Sequence, residues 1–466
     1  QHPMGAAPSR PTDEQREELE KTRAEAVQRA ASAIRQSDAM LLMTGAGWSA
    51  DSGLAVYADV ADVPTYHTRG LTYHDICTPG WLGREPELFY GFWGKCFNDY
   101  RDVTPHEGYR IVASWRDTLF KHTAAAAQLR RDSSAPGAFY CFTSNVDAHS
   151  FHHFSAQEVR ECHGNSETWQ CALRRCPGRP RPAAESDEAA AESDEDMLAD
   201  PERAAERIIA QVGRTCWPRR WAAPSGFRFQ VDAESALADD GAPGKPPAPV
   251  GDVDAAGGPG EDDDDDRVSP SEVAAAFERN WPRCPHCGGI ARPSILMFGD
   301  DQWHDDEEQA DRWEAWRLGL EELAKQRGRA FRLTIIEAGA GGNVTTVRNL
   351  SEDVLSSVIE AGGTATLVRI NPELPLADRA ANQPHTFSLL SKGLDAIRAL
   401  DDAIRASRRA AAEDGADGGA VPPRLVTVEE PPPATADEGM ASADTAAKME
   451  AMQKQLAAAL TSDLHS

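Results

Sequence analysis

Four cysteines and one glycine-rich turn are the residues of this chain best suited to chemistry. Cys284 and Cys287 stand in CPHCGG, and Cys171 and Cys176, separated by four residues, form a second short-spaced pair. A knuckle of this kind frees backbone amides to satisfy thiolate charge. Four thiolates suit a tetrahedral Zn2+ with no open position, which makes the site structural rather than catalytic. Cys216 is the rival fourth ligand, and unrelated buried thiols are the alternative reading. The long gap between the pairs is tolerable because closure entropy grows only with the logarithm of loop length. The second candidate is MLLMTGAGWSADSGL (40–54), an apolar strand that runs into a Gly-rich turn and then into helix-forming residues. Small residues let backbone approach a pyrophosphate, and amides at a helix start attract its charge, so this is how a dinucleotide site is built. Taken alone, an ordinary tight turn looks the same.

The turn does not stand alone. It is followed in order by FTSNVDAHSFHHF (142–154), ECHGN (161–165), CALRRC (171–176), CPHCGGIARPSILMFGD (284–300), EAGAGGN (337–343) and RINPE (369–373). That ordered set resembles the sirtuin family of NAD-dependent protein deacylases. The resemblance implies that Gly45, Ala46, Gly47 and Ser49 form the phosphate-binding turn. It implies that Asn145 positions the nicotinamide ribose, that Asp147 hydrogen-bonds the nicotinamide carboxamide, and that Asn371 holds the adenosine end. His163 takes the place of the family's general base, which accepts a proton from a ribose hydroxyl; an imidazole titrates in the range that step needs. Gly339 and Gly341 would place backbone near phosphate and ribose. Ile295, Leu296, Met297, Phe298 and Gly299 would pair with an extended acyl-lysine peptide or protein segment as an added strand. NAD and Zn2+ are the implied cofactors.

The chain also departs from the family pattern. Ser144 replaces the family Gln, which weakens a ribose contact. Tyr57 replaces the Phe that shields the reactive ribose carbon, and Ala58 replaces an Arg that orders the cofactor loop. An alanine side chain donates no hydrogen bond. The expected reaction is NAD-dependent removal of an acyl group from lysine, with release of nicotinamide and O-acyl-ADP-ribose. NAD glycohydrolysis or ADP-ribosyl transfer on the same fold, or a non-catalytic NAD-binding scaffold, are the alternatives. His149, His152 and His153 read as helix-surface or loop residues rather than a second metal site.

The elements that must hold these residues are those of an α/β fold: a Rossmann-like doubly wound parallel sheet with a small zinc-binding module and a long disordered insertion and tail. Strands are expected at 39–43, 139–143, 331–337 and 364–370, and helices at 13–35, 115–130, 344–360 and 393–408. The aromatic-rich stretch 66–109 reads as core, with a lid or a small helical module as alternatives. The expected domains are a leader (1–12), a catalytic domain (13–176 and 280–408), an acidic low-complexity insertion (177–279) and a low-complexity tail (409–466). The short island 216–231, with Trp217, Trp221 and two Phe, is expected to dock on the body.

Composition sets the outer bounds. The chain has 466 residues, 41% of them hydrophobic, enough for a real core, while 31 prolines and 36 glycines signal non-globular sequence. The net charge of −27 disfavours direct nucleic-acid binding, and much of the acid lies in the insertion, at Asp262–Asp266 among others. That run reads as solvated, with partner binding as the alternative. No apolar run is long enough to span a bilayer, so no membrane partner is expected. Nine cysteines, an odd number, favour metal over disulfides and an intracellular, cytoplasmic or nuclear setting.

Overall fold

The protein, seen in a computed structural model, is described over residues 10–56, 59–60, 62–133, 135–173, 176, 220–240 and 268–416. Tyr57, Ala58, Cys216, the 262–266 acidic run, residues 1–9 of the leader and residues 417–466 of the tail lie outside the described residues. The chain divides after residue 411, and of the unit that follows only 412–416 are described, as the end of a helix.

In chain order the strands are β1 (Ala39–Thr44), β2 (Phe139–Thr143), β3 (Val159–Glu161), β4 (Gly164–Cys171), β5 (Arg220–Ala222), β6 (Ala291–Ile295), β7 (Arg332–Ala338), β8 (Thr364–Ile370) and β9 (Thr386–Leu389). Six of them form one parallel sheet in the order β3-β2-β1-β7-β8-β9. Every residue of β1 and β2 is buried. Such unbroken apolar runs suit strands covered on both faces by helices. The helix Asp13–Gln36 covers part of one face through Val27, Ala30, Ala31 and Ile34. Thr12 and Gln15 start it with a reciprocal capping box.

The helix expected over 115–130 is two helices, Glu107–Trp115 and Ala124–Asp132, joined by a π-helical turn over Arg116–Phe120. The Thr123 hydroxyl restarts the helix by accepting the Ala126 N–H at 3.0 Å.

A second core stands apart from the sheet. Here β4 pairs antiparallel with β5 and β6. The helix Pro86–Asp102 packs on this small sheet with Phe89, Tyr90, Phe92, Trp93 and Phe97, so the aromatic-rich stretch is core. Residues 220–240, drawn from the stretch expected to be an insertion, complete this core with Trp221, Phe227 and Phe229. Two glycines on the helix make room for them. A Cβ on Gly91 would stand 2.0 Å from the Ala236 carbonyl oxygen, and one on Gly94 would stand 2.7 Å from the Phe229 ring. Asn98 exchanges two hydrogen bonds with the Phe229 backbone, and Arg101 donates to the carbonyls of Pro224, Ser225 and Phe227. Within 268–279, also part of the expected insertion, lies the helix Pro270–Ala276, capped by Ser269.

Candidate functional site

The strand order reverses between β1 and β7, and this is where an open parallel sheet leaves a crevice at the carboxyl ends of its strands. Four of the sequence motifs sit there. Gly45–Gly47 follows β1, Ser144–Asp147 follows β2, Gly339–Gly341 follows β7 and Asn371 follows β8.

The glycines of the first and third motifs serve each other. The Gly45 N–H donates to the Ala338 carbonyl at 3.1 Å and the Gly47 N–H to the Gly339 carbonyl at 2.9 Å. A Cβ on Gly47 would meet Gly339 Cα at 2.8 Å, and a Cβ on Gly339, which has φ 70°, would meet the Trp48 amide nitrogen at 2.1 Å. Only glycine permits that approach and that dihedral. Gly341 lies two residues on in the same loop. Asn371 is similarly engaged: its amide donates to the Ala340 carbonyl at 2.8 Å, and its oxygen accepts from the Glu373 and Leu374 N–H groups. Ala46 belongs to the short helix Ala46–Ala50.

In the loop after β2, Asp147 accepts from the Ser49 hydroxyl and from the His149 N–H at 2.9 Å. Ala148 takes a left-handed φ of 61° next to it. The Asn145 N–H donates to the Thr143 hydroxyl at 3.0 Å, while its side-chain Nδ2 is buried with no partner. A buried amide without an acceptor is costly, so this atom fits a polar ligand group.

His163 sits where the two cores meet. Gly164 has φ 68°, and a Cβ there would stand 1.9 Å from the Ser294 carbonyl oxygen, so the glycine after His163 is imposed by strand pairing with β6. Burial pushes the His163 imidazole down to about 4, opposed by a hydrogen bond to the Ser144 backbone. One ring N–H thus donates to a carbonyl and the other nitrogen is left as a neutral acceptor. The expected peptide segment is adjacent: Ile295 pairs with Gly164, and the Leu296 N–H donates to the His163 carbonyl at 2.9 Å. Met297 is buried, Phe298 donates its N–H to the Cys77 carbonyl and packs on Tyr73 and His74, and Gly299 has φ 66°.

The four cysteines meet at the edge of the second core. Cys171 and Cys287 have Sγ atoms 3.8 Å apart, as do Cys176 and Cys284, and all four lie within 4.8 Å of one another. A tetrahedron of Zn–S bonds of about 2.3 Å has edges of about 3.8 Å, so the thiols fit that ion. Gly288, at φ 70°, shapes the knuckle.

Two features differ from the sequence reading or escaped it. His149 is 1% exposed, not a surface residue, and its Nε2 bonds the Tyr100 carbonyl at 2.8 Å. A buried ion network lies beneath the loops that follow β7 and β8. Arg369 on β8 reaches Glu337 at 2.8 Å and Glu352 at 3.0 Å, while Arg348 pairs with Asp378 and donates to the Leu374 carbonyl. Charged residues inside otherwise apolar strands, as in FRLTIIE and TATLVRI, were the available signal.

No family model matches the chain. An NAD-dependent protein deacylase of Deinococcus radiodurans is 27% identical over 139 residues, which are 29% of this chain and 49% of that protein. The chain thus spans about half the length of the curated relative it matches. Among solved structures, a Sir2 homologue in complex with NAD aligns at 16% identity and TM-score 0.41, covering 82% of this chain and 94% of that one. Sir2Tm bound to a propionylated peptide aligns at 12% identity and TM-score 0.39, covering 81% and 98%. In its ordered motifs and in the stretch it shares with the Deinococcus deacylase, the chain is similar to the sirtuin family.

Proposed function

We propose that this chain is an NAD-dependent protein lysine deacylase that releases nicotinamide and O-acyl-ADP-ribose. The observation that carries the reading is the convergence of His163, Asn145 and Asp147 at the strand ends beside the segment Ile295–Gly299. NAD would supply the electrophilic ribose carbon. Asn145 would offer its unpartnered Nδ2 to the ribose, and Asp147, steadied by Ser49 and the His149 N–H, would face the carboxamide. His163, neutral and oriented by Ser144, would take a proton from the ribose hydroxyl. Ile295–Gly299 would align the acyl-lysine chain, and proximity rather than acid strength would do most of the work. Cys171, Cys176, Cys284 and Cys287 would hold Zn2+ as a structural ion. Among the described residues, no helix is long and apolar enough to cross a membrane. The supporting experiment is a screen of acyl-lysine peptides with NAD, with products identified by mass. O-acyl-ADP-ribose formation supports the reading, and NAD turnover with no peptide consumed defeats it.

The alanine at position 58 favours a second reading, NAD glycohydrolysis or ADP-ribosyl transfer, because a cofactor-ordering guanidinium is missing from the sequence. Free or protein-linked ADP-ribose in place of O-acyl-ADP-ribose would support it. If the missing Arg limits deacylation, Ala58→Arg raises NAD use.

A further inference from the structure

The turn that carries His163 begins with a buried acid that the chemistry above does not use. Glu161 ends β3, opposite Thr143 of β2, and is 2% exposed. Its N–H donates to Gln309 Oε1 at 2.9 Å, which anchors the backbone to the helix Glu307–Arg327. One carboxyl oxygen accepts from Nδ2 of Asn165, and the other, Oε1, is buried with no partner. Asn165 in turn accepts the Thr168 N–H at 2.9 Å. Residues 161 and 165 therefore clasp each other across the turn with His163 at its centre.

The surroundings do not favour a charge on this carboxyl. Asp147 in the loop after β2 and Asp306 ahead of the helix Glu307–Arg327 both oppose its ionisation. Arg160, the neighbouring cation on β3, commits its guanidinium to Asp305 at 2.7 and 2.5 Å. Burial is the largest influence and pushes the carboxyl well above its ordinary range, against the opposing pull of the Asn165 hydrogen bond. A carboxylate with an orphaned oxygen in such a place is strongly disfavoured, whereas a carboxylic acid keeps the bond to Asn165 without the charge.

We propose that Glu161 is a positioning residue which, as an uncharged acid, holds Asn165 across the turn and so fixes the place of His163. The far side of the turn is held by the Leu296 N–H on the His163 carbonyl, so Glu161 supplies the inner half of a two-sided grip. Its catalytic consequence rests on the deacylase reading; its protonation does not.

Two measurements on the full chain test this. The infrared difference between the wild type and Glu161→Gln at neutral pH is expected to contain the carbonyl stretch of a buried protonated acid; its absence overturns the proposal. Nicotinamide release with a consumed acyl peptide is then followed against pH. Glu161→Ala is expected to lower kcat by about 10- to 100-fold with little change in KM for NAD, the range for partners that orient a functional group. The wild type is expected to lose activity on the alkaline side as Glu161 ionises, and Glu161→Gln, which can still accept from Asn165, is expected to rescue most of the Ala variant's loss and to lack that alkaline fall. Equal losses in both variants, or the same alkaline limb in wild type and Glu161→Gln, overturn it. Zinc content and melting temperature identify an Ala variant that fails to fold, and the Gln variant and the infrared band then decide. A wild type that consumes no acyl peptide defeats the deacylase reading, while the infrared band still decides the state of Glu161.

Discussion

The six-stranded sheet and the second core are both packed and aromatic, but they are built from sequence in opposite ways. The sheet is parallel throughout, in the order β3-β2-β1-β7-β8-β9, so its strands are joined by crossovers rather than hairpins. The second core is gathered from four separated pieces, 63–97, 169–176, 221–238 and 276–297. Its own hydrogen-bonded sheet is three strands, with β5 only three residues long. What such a core lacks in regular pairing it must make up by other means: a cluster of four thiols, a strap of residues 220–240 and glycines cut to fit that strap. The candidate site lies on the seam. The sheet provides the glycine-rich loops, and the second core provides Gly164, β6 and the segment that follows.

The contrast is sharpest at the metal. Cys284→Ala/Cys287→Ala is expected to abolish zinc binding and unfold the second core while the amides of β1, β2, β7 and β8 keep hydrogen-exchange protection. Structural zinc contributes on the order of 10 kcal/mol in small domains. Simultaneous loss of protection in both regions would show one cooperative unit and remove the distinction. On the seam itself, His163→Ala should cut deacylation by about two to four orders of magnitude. NAD affinity, measured by calorimetry, should fall much less, because the glycine loops and Asn371 are untouched. Undiminished acyl transfer would defeat the role given to this imidazole.

Phe229→Ala probes the strap. It removes a buried ring that packs on Phe97, Trp169, Tyr90 and Phe227, and should cost about 3–5 kcal/mol in denaturant unfolding. A cost below about 1 kcal/mol would mean that the strap rests on the core without completing it. The pH dependence reports on both regions. His163 and His106 are each pushed down to about 4 by burial, from an ordinary value near 6.5. The unfolded chain therefore binds more protons below that ordinary value, so stability is present in full above about pH 6.5 and is lost as pH falls toward about 4. His106→Gln should flatten part of that slope in a melting series from pH 7 to about 4. If His163 is the base, the acid limb of kcat/KM should lie below the usual imidazole range. The smallest effect is expected far from the seam: Thr12→Ala removes the cap of the first helix and should cost about 1 kcal/mol, read as a small drop in melting temperature.

The fold was legible where local pattern and tertiary role coincide. AMLLMT and FYCFT are buried strands because no charged residue interrupts them and a Thr only closes each, and the Gly45–Gly47 turn follows β1 because only small residues fit against Gly339. Less of the second core was legible. Trp221, Phe227 and Phe229 lie in a stretch whose composition is acidic and proline-rich on both sides, and that average hid a segment shaped to Gly91 and Gly94. The three histidines after Asp147 carried no periodic signal that would mark His149 as buried.

The sequence alone determined the order of motifs, the residue types at the cofactor turn and the spacing that makes a thiol site reasonable. These are short-range properties, set by what each few residues can do with their own backbone. Only the tertiary structure decided that Cys171 faces Cys287 and Cys176 faces Cys284, that His163 donates to Ser144, and that Glu161 lies buried against Asn165 with one oxygen unpaired. Those facts depend on which distant segments share a wall, because the desolvation that sets the charge of a carboxyl or an imidazole comes from neighbours far away in the chain.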